Sequence, residues 1–268
     1  MFSVLNNFLL LSKRIFMENG FVKSTVENGI GTVTFFHPQS NSLPGEILRA
    51  LAAEITKVGK DDKAKVIILK SDGDKAFCAG ASFDELIAIK DIETGTKFFS
   101  GFAGVINAMR KAPKFVIARV QGKAVGGGVG LSSAADYTFA KEDSAIKLSE
   151  LAVGIGPFVV GPAVERKMGT SAFCQLTINA TEWHSAQFAK KTGLYASVHN
   201  TTEEMDKAIA ELAQKLAASS PEAMRDLKKI MWEGTENWDT LLLERAKMSG
   251  TLVLSEFTKE FIKGFKKK

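Results

Sequence analysis

The chain has little of what would mark a disulfide-built, metal-bound or membrane-spanning protein. Cysteine occurs twice in 268 residues, at Cys78 and Cys174. That is too few for a disulfide scaffold or a zinc site, and it fits a reducing, cytoplasmic compartment. No run approaches about eighteen apolar residues, which excludes a membrane-spanning helix. His37, His184 and His199 are the three histidines, and they lack metal-ligand spacing. GGGVG at 126–130 is no dinucleotide fingerprint, because Leu131 stands where the last Gly is needed. Gly122-Lys123-Ala124 lacks the Ser or Thr of a phosphate loop. GASFD at 80–84 does not match the nucleophile elbow of hydrolases. Neither a metal nor a redox cofactor is expected.

Net charge is also small once the tail is set aside. Thirty-five Lys and Arg against 30 Asp and Glu give +5, and the last ten residues, with five Lys and one Glu, supply +4 of it. The rest offers no broad basic face, so nucleic acid is not an expected partner. The tail reads as a solvated, frayed end or as a clamp on a phosphate-bearing ligand. Residues 1–16 carry a short apolar stretch with Lys13 and Arg14 behind it, the reverse of a secretory signal. They read as a loosely attached extension, with Met17 as an alternative start.

What is present is the composition of a globule, 45% hydrophobic and 24% charged. At about 150 residues per domain, the length suits one large domain or a domain with a small appendage. Ile30–Phe36, Val66–Lys70 and Phe115–Val120 read as buried strands. Leu43–Lys57, Phe83–Lys90 and Phe98–Lys111 have helical spacing, and small residues through Ala135 suit a tightly packed helix after GGG. Tyr137–Ala140 and Ala145–Leu148 are short strands. Val66–Lys90 and Phe115–Ala135 each give a buried strand, a loop of Gly and Ala, and a helix, which argues for α/β layering. After about residue 200 the pattern is helical only. Thr201 with Glu204 makes a capping box before the face Met205, Ile209, Leu212 and Leu216. Ser220-Pro221 starts a second helix, and Trp238–Leu254 is a third. The expected division is an extension over 1–16, a core over 17–200 and a helical, oligomer-forming lobe over 201–268.

The chemistry must then come from backbone. Cys78-Ala79-Gly80-Ala81 and Gly126-Gly127-Gly128 each run into a helix start, where free N–H groups favour negative charge. Gly lets the chain approach a ligand closely. If the two strands are neighbours, the amides of Ala81 and Gly127 can converge on one oxygen as an oxyanion hole.

FCAGASF (77–83), QGKAVGGGVG (121–130) and SELAVGIGP (149–157) resemble, in order and spacing, the motifs of the crotonase superfamily, the enoyl-CoA hydratase/isomerase family. HPQSNSL (37–43) is similar to that family's CoA-contact turn. The resemblance runs from about Met17 to the C-terminus. It implies a crotonase-like α/β spiral of repeated ββα units, C-terminal helices that pack in trimers or dimers of trimers, and an acyl-CoA thioester as substrate, with CoA as part of the substrate and not a resident cofactor. It implies that the thioester oxygen sits on the amides of Ala81 and Gly127. Ala79 lies along the CoA moiety, Ser82, Phe83 and Asp84 line the pocket beside it, and Ser40 belongs to the CoA-contact turn. Phe265 and Lys268 match a C-terminal aromatic and a basic residue that touch CoA.

One departure bears on the reaction. Hydratases of this family use two Glu; the second is present as Glu150, and Gly130 replaces the first. Two carboxylates divide water activation from proton delivery, whereas a single one suits a proton shuttle between two carbons. The leading expectation is therefore double-bond isomerisation of an enoyl-CoA, with Glu150 in an apolar pocket of Leu148, Leu151, Ile155 and Phe158 that raises its pKa. Hydration is the alternative, and a non-catalytic acyl-CoA-binding protein is another. Asp136 reads as a hydrogen-bonded loop anchor, and Glu165 is a minor candidate for a second acid.

Overall fold

The computed structural model describes residues 20–265. The extension over 1–16, Met17 and Lys268 lie outside the described residues. Strands β1 (Phe21–Glu27) and β2 (Ile30–Phe36) form a hairpin. Asn28 and Gly29 at its tip both have positive φ, 51° and 81°, the conformation that an Asn-Gly hairpin turn requires. Next come β3 (Ser42–Leu43) and α1 (Gly45–Lys60), which buries Ile47, Leu48, Leu51 and Ile55 along one stripe.

The chain then repeats one plan. A first unit has β4 (Val66–Ser71), β5 (Ala76–Cys78) and β6 (Gly80–Ala81), followed by α2 (Phe83–Ile87) and α3 (Ile92–Lys111). A second has β7 (Val116–Val120), β8 (Lys123–Val125) and α4 (Gly127–Ala134). A third has β9 (Tyr137–Lys141), β10 (Ala145–Lys147) and α5 (Gly161–Ile178). After these come β11 (His184–Ser185), α6 (Ala186–Lys191), β12 (Ser197–His199), α7 (Thr202–Ala217), α8 (Pro221–Met231), α9 (Trp238–Leu252) and α10 (Glu256–Phe265).

Each unit places its first strand in a six-stranded sheet of order β1-β2-β4-β7-β9-β12 and its second in a four-stranded sheet of order β11-β10-β8-β5. Pairing is parallel throughout except for β1 with β2 and β10 with β11. This is the α/β spiral of ββα units that the resemblance implies. The core lies between the large sheet and α1, α3 and α4, with Leu69, Phe77, Ile106 and Met109 sealed from solvent.

Most boundaries shift by a residue or a few from the sequence reading, and the larger differences lie after β6 and at the C-terminus. The helix from Phe83 ends at Ile87, and the next begins at Ile92, not Phe98. Asp91 and Thr94 form a capping box there, with Thr94 N–H donating to Asp91 Oδ1 at 2.8 Å. The tail over 259–268, expected either to fray or to clamp a phosphate-bearing ligand, is helical as far as Phe265, where α10 (Glu256–Phe265) ends. The helices after 200 bury against the rest of the chain. Met205, Ile209 and Ala213 of α7 join Val66, Ile117 and Phe139 of the large sheet in a second core cluster, and α9 crosses α3 where Gly250 meets Gly95.

Asp136 is the anchor its position suggested. Its carboxylate accepts from Lys228 Nζ at 2.9 Å, Trp232 Nε1 at 2.8 Å and Val116 N–H at 2.7 Å. Lys228 also donates to Met109 O and Lys114 O, so a buried ion pair with its hydrogen bonds filled joins α8 to the core.

Candidate active site

The two Gly-rich loops meet because their strands do. β5 and β8 are parallel neighbours, and β8 pairs with β10 through Ala124 with Ile146 and Val125 with Lys147. Gly126 N–H donates to Lys147 O at 2.9 Å, and its φ of 52° with ψ of −111° turns the chain into α4. The loops then touch backbone to backbone. A Cβ on Gly128 would lie 2.3 Å from Cys78 O; one on Gly80 would lie 3.2 Å from Val125 O and 3.8 Å from Gly127 N. Only glycine permits the approach at Gly128. Gly127 N–H belongs to the first turn of α4, where amides have no partner within the helix.

The other side of the first loop is held by the turn at 37–43. Asn41 is buried in a left-handed conformation, φ 56°. Its Nδ2 donates to Asp72 O at 3.0 Å and Ala76 O at 2.9 Å, and its Oδ1 accepts from His37 N–H at 2.7 Å. Ala79 N–H donates to Asn41 O at 3.2 Å, and Ser42 Oγ donates to Ala81 O at 2.9 Å. The pairing of β3 with β6 sets Leu43 opposite Ala81. Neither Asn41 nor Ser42 was singled out in the sequence, although both sit in the HPQSNSL turn.

A cavity of about 230 Å³ opens between these loops. Ala79–Ala81 and Val125–Gly127 form one side, Phe98, Phe99 and Phe102 of α3 another, and Ser149, Glu150 and Ile155–Val160 a third. Phe102 lies so close to Gly127 that a Cβ there would be 2.1 Å from its Cζ.

Glu150 enters this cavity three residues beyond β10. Its carbonyl accepts from Val153 N–H and Ile155 N–H, both at 3.1 Å, so a single 3-10 turn (Leu151–Val153) fixes its backbone. The carboxyl lies against the bare α-carbon of Gly126, where a Cβ would be 2.8 Å from Oε1. Oε2 is sealed from solvent and has no hydrogen-bond partner among the described residues. Desolvation without a countercharge pushes the Glu150 carboxyl up from 4.5 to about 7. Ile155 and Phe158 share the cavity wall with it, and Leu148 is buried, but Leu151 is 50% exposed and faces outward. Behind the turn, Gly154 has φ 83° and abuts Phe257 and Thr258 of α10. The C-terminal helix therefore backs the segment that carries Glu150.

The structure brings together Ala79, Ala81, Phe83, Gly127 and Glu150 around this cavity. Ser82, Asp84 and Ser40 do not line it, which corrects the expectation that the whole 82–84 stretch would. Ser82 is spent as the cap of α2, its Oγ accepting from Glu85 N–H at 3.3 Å. Asp84 is exposed and accepts from Gln39 Nε2 at 2.9 Å. Ser40 is exposed at the tip of the turn, with φ 55°. Phe265 ends α10. Glu165 is exposed and accepts from Thr170 Oγ1 at 2.7 Å, outside the cavity. An apolar cavity with backbone donors at a helix start and one desolvated carboxyl near neutrality can polarise a carbonyl and move a proton at the atom beside it.

Residues 25–267 match the family model described as enoyl-CoA hydratase/isomerase. The chain is 29% identical over 250 residues to the probable enoyl-CoA hydratase of Bacillus subtilis, covering 92% of this chain and 96% of that protein. It is 29% identical over 244 residues to the short-chain-enoyl-CoA hydratase of Clostridium acetobutylicum, covering 89% and 92%. The crystal structure of enoyl-CoA hydratase from Bacillus halodurans shares the fold, with a TM-score of 0.84 at 18% identity over 91% of this chain and 99% of that one.

Proposed function

Because the chain belongs to the enoyl-CoA hydratase/isomerase family, whose members act on CoA thioesters, we propose that it moves a double bond in an enoyl-CoA, with Glu150 as its single acid/base. The observation that carries this reading is the solitary, desolvated carboxyl of Glu150 opposite two backbone loops in an apolar cavity. In this reading the amides of Ala81 and Gly127 hold the thioester oxygen. A C2 proton beside a thioester is weakly acidic, and its removal puts charge on that oxygen. Preorganised N–H groups lower the barrier by stabilising the charge where it develops. A carboxylate whose pKa lies near neutrality can both take the proton and give it back. Ala79, Phe83 and the turn at Ser40 are assigned to the CoA side, as are Phe265 and Lys268.

Hydration is the second reading, and the hydratase names of the B. subtilis and C. acetobutylicum relatives favour it. The two readings separate in an assay of purified protein on 3-enoyl-CoA and 2-enoyl-CoA. Isomerisation of the first is expected to exceed hydration of the second, and Glu150→Gln is expected to slow it by at least about a hundredfold. An unchanged rate in that variant rejects the base, and thioester binding without turnover leaves a binding protein. Trimeric assembly belongs to the same reading. Exposed Leu227, Ile230 and Met231 on α8 and Leu243, Met248 and Leu252 on α9 support it, and light scattering on the purified protein measures it. A cytoplasmic setting is proposed with it; among the described residues no helix is long and apolar enough to cross a membrane.

A further inference from the structure

The place of the missing carboxylate is open in the sequence and closed in space. Gly130 lies in α4, and a Cβ on it would stand 2.5 Å from Val160 Cγ1 and 2.7 Å from Val160 Cβ, with Ile106 Cδ1 at 3.7 Å. The first two contacts overlap, so no side chain fits at 130 while Val160 stays where it is. Val160 is not free to yield. It is 4% exposed, its carbonyl accepts from Val164 N–H at 3.0 Å in the first turn of α5, and a β-branched side chain is stiff at χ1. Val160 also lines the cavity that holds Glu150.

We infer that Val160 decides between proton transfer and water addition at this site, an inference that rests on the thioester chemistry proposed above. Adding water across C2=C3 requires a water held over C3 while a proton reaches C2. A buried water is ordered by two to four polar partners. Glu150 is the one carboxylate among the described residues lining the cavity, and Val160 presents methyl groups where a carboxylate on α4 would supply the next partner. Isomerisation needs no water. Glu150 takes the C2 proton, and the C–H electron pair enters the C1–C2 bond as the carbonyl pair moves onto oxygen. When that pair returns, C2=C3 forms, and the former C3=C4 pair takes the proton from Glu150 at C4.

The test compares wild type, V160G, G130E and the double variant G130E/V160G on 3-enoyl-CoA and 2-enoyl-CoA. Chromatography of the 2-enoyl, 3-enoyl and 3-hydroxyacyl thioesters reads the ratio of hydration to isomerisation. G130E alone is expected to melt lower than wild type and to gain no hydration, because Val160 occupies the space. Removing the Val160 side chain entirely is needed, since its Cβ also overlaps. In the double variant the ratio is expected to rise by at least about a hundredfold, with V160G between it and wild type. A double variant that folds, by circular dichroism and CoA-thioester binding, and keeps the wild-type ratio overturns the inference. Should the double variant not fold, an unchanged ratio in V160G overturns it. Wild type that hydrates as fast as it isomerises overturns it as well. Failure of the base assignment shows separately, as isomerisation that survives Glu150→Gln in wild type; a ratio that still rises in the double variant would then stand for Val160 alone.

Discussion

Glu150 is held where a carboxyl is costly to ionise, and both its reactivity and its stability effect follow from that. Its pKa stands at about 7 against an ordinary 4.5. The ionised form is the base, so kcat/KM for isomerisation is expected to climb with pH below about 7 and level off above it, a limb absent from Glu150→Gln. For stability the sign is opposite. Below about 4.5 the carboxyl is protonated in both folded and unfolded chains. Between about 4.5 and 7 the unfolded chain ionises first and holds fewer protons, so stability falls as pH rises through that window. The full cost, on the order of 3 kcal/mol, is reached above pH 7. Melting curves of wild type and Glu150→Gln from pH 4 to 9 are expected to converge at the acid end and separate at the alkaline end, the variant being the less pH-sensitive. Asp136 shows the other kind of buried carboxylate, one with its partners in place. Asp136→Asn leaves Lys228 buried without its counter-ion, and urea titration is expected to show a loss of about 3–5 kcal/mol.

At the level of elements, the site depends on how closely α3, α4 and the strand ends approach. The ring of Phe102 rests on the α-carbon of Gly127, which seats the first turn of α4 and its amides against the cavity. Gly127→Ala inserts a methyl group into that ring. It is expected to cost about 1–3 kcal/mol of stability by overpacking and to lower kcat by about a hundredfold or more by moving one donor. Phe102→Leu/Gly127→Ala is expected to recover melting temperature, and rate only where the amide returns to its place. The capping box of α3 is legible in the sequence as Asp91-x-x-Thr94. The apolar positions from Phe98 onward are denser than those before it, so periodicity alone places the start of the helix six residues too late. The Lys residues of the terminal helix α10 suggest a solvated end in the sequence and hide the helix. Its pairs Glu256–Lys259 and Glu260–Lys263 lie one turn apart, and its Thr258 is fully buried, so charge on one face coexists with packing on the other.

Across the whole molecule, the order of motifs along the chain and their positions in space are linked by the two parallel sheets. Each ββα unit delivers the C-terminal end of its second strand to the same end of the small sheet, because β5, β8 and β10 run parallel, which is why residues 81, 127 and 150 surround one cavity. The sequence by itself determined the α/β class, two strand–loop–helix units and the identity of both Gly loops; the ββα repetition and the role of Glu150 came through the family resemblance its motifs carry. The fold class and the loops rest on local signals: alternation of strand and helix periods, and Gly where backbones must touch. Tertiary structure alone decided that Leu151 faces solvent while Ile155 lines the cavity with the acid, that Asn41 clamps the first loop, and that Val160 fills the room beside Gly130. Each of those depends on which side chain occupies a given volume once distant segments have packed, and a volume shared by residues thirty or more positions apart leaves no periodic trace in either stretch of chain.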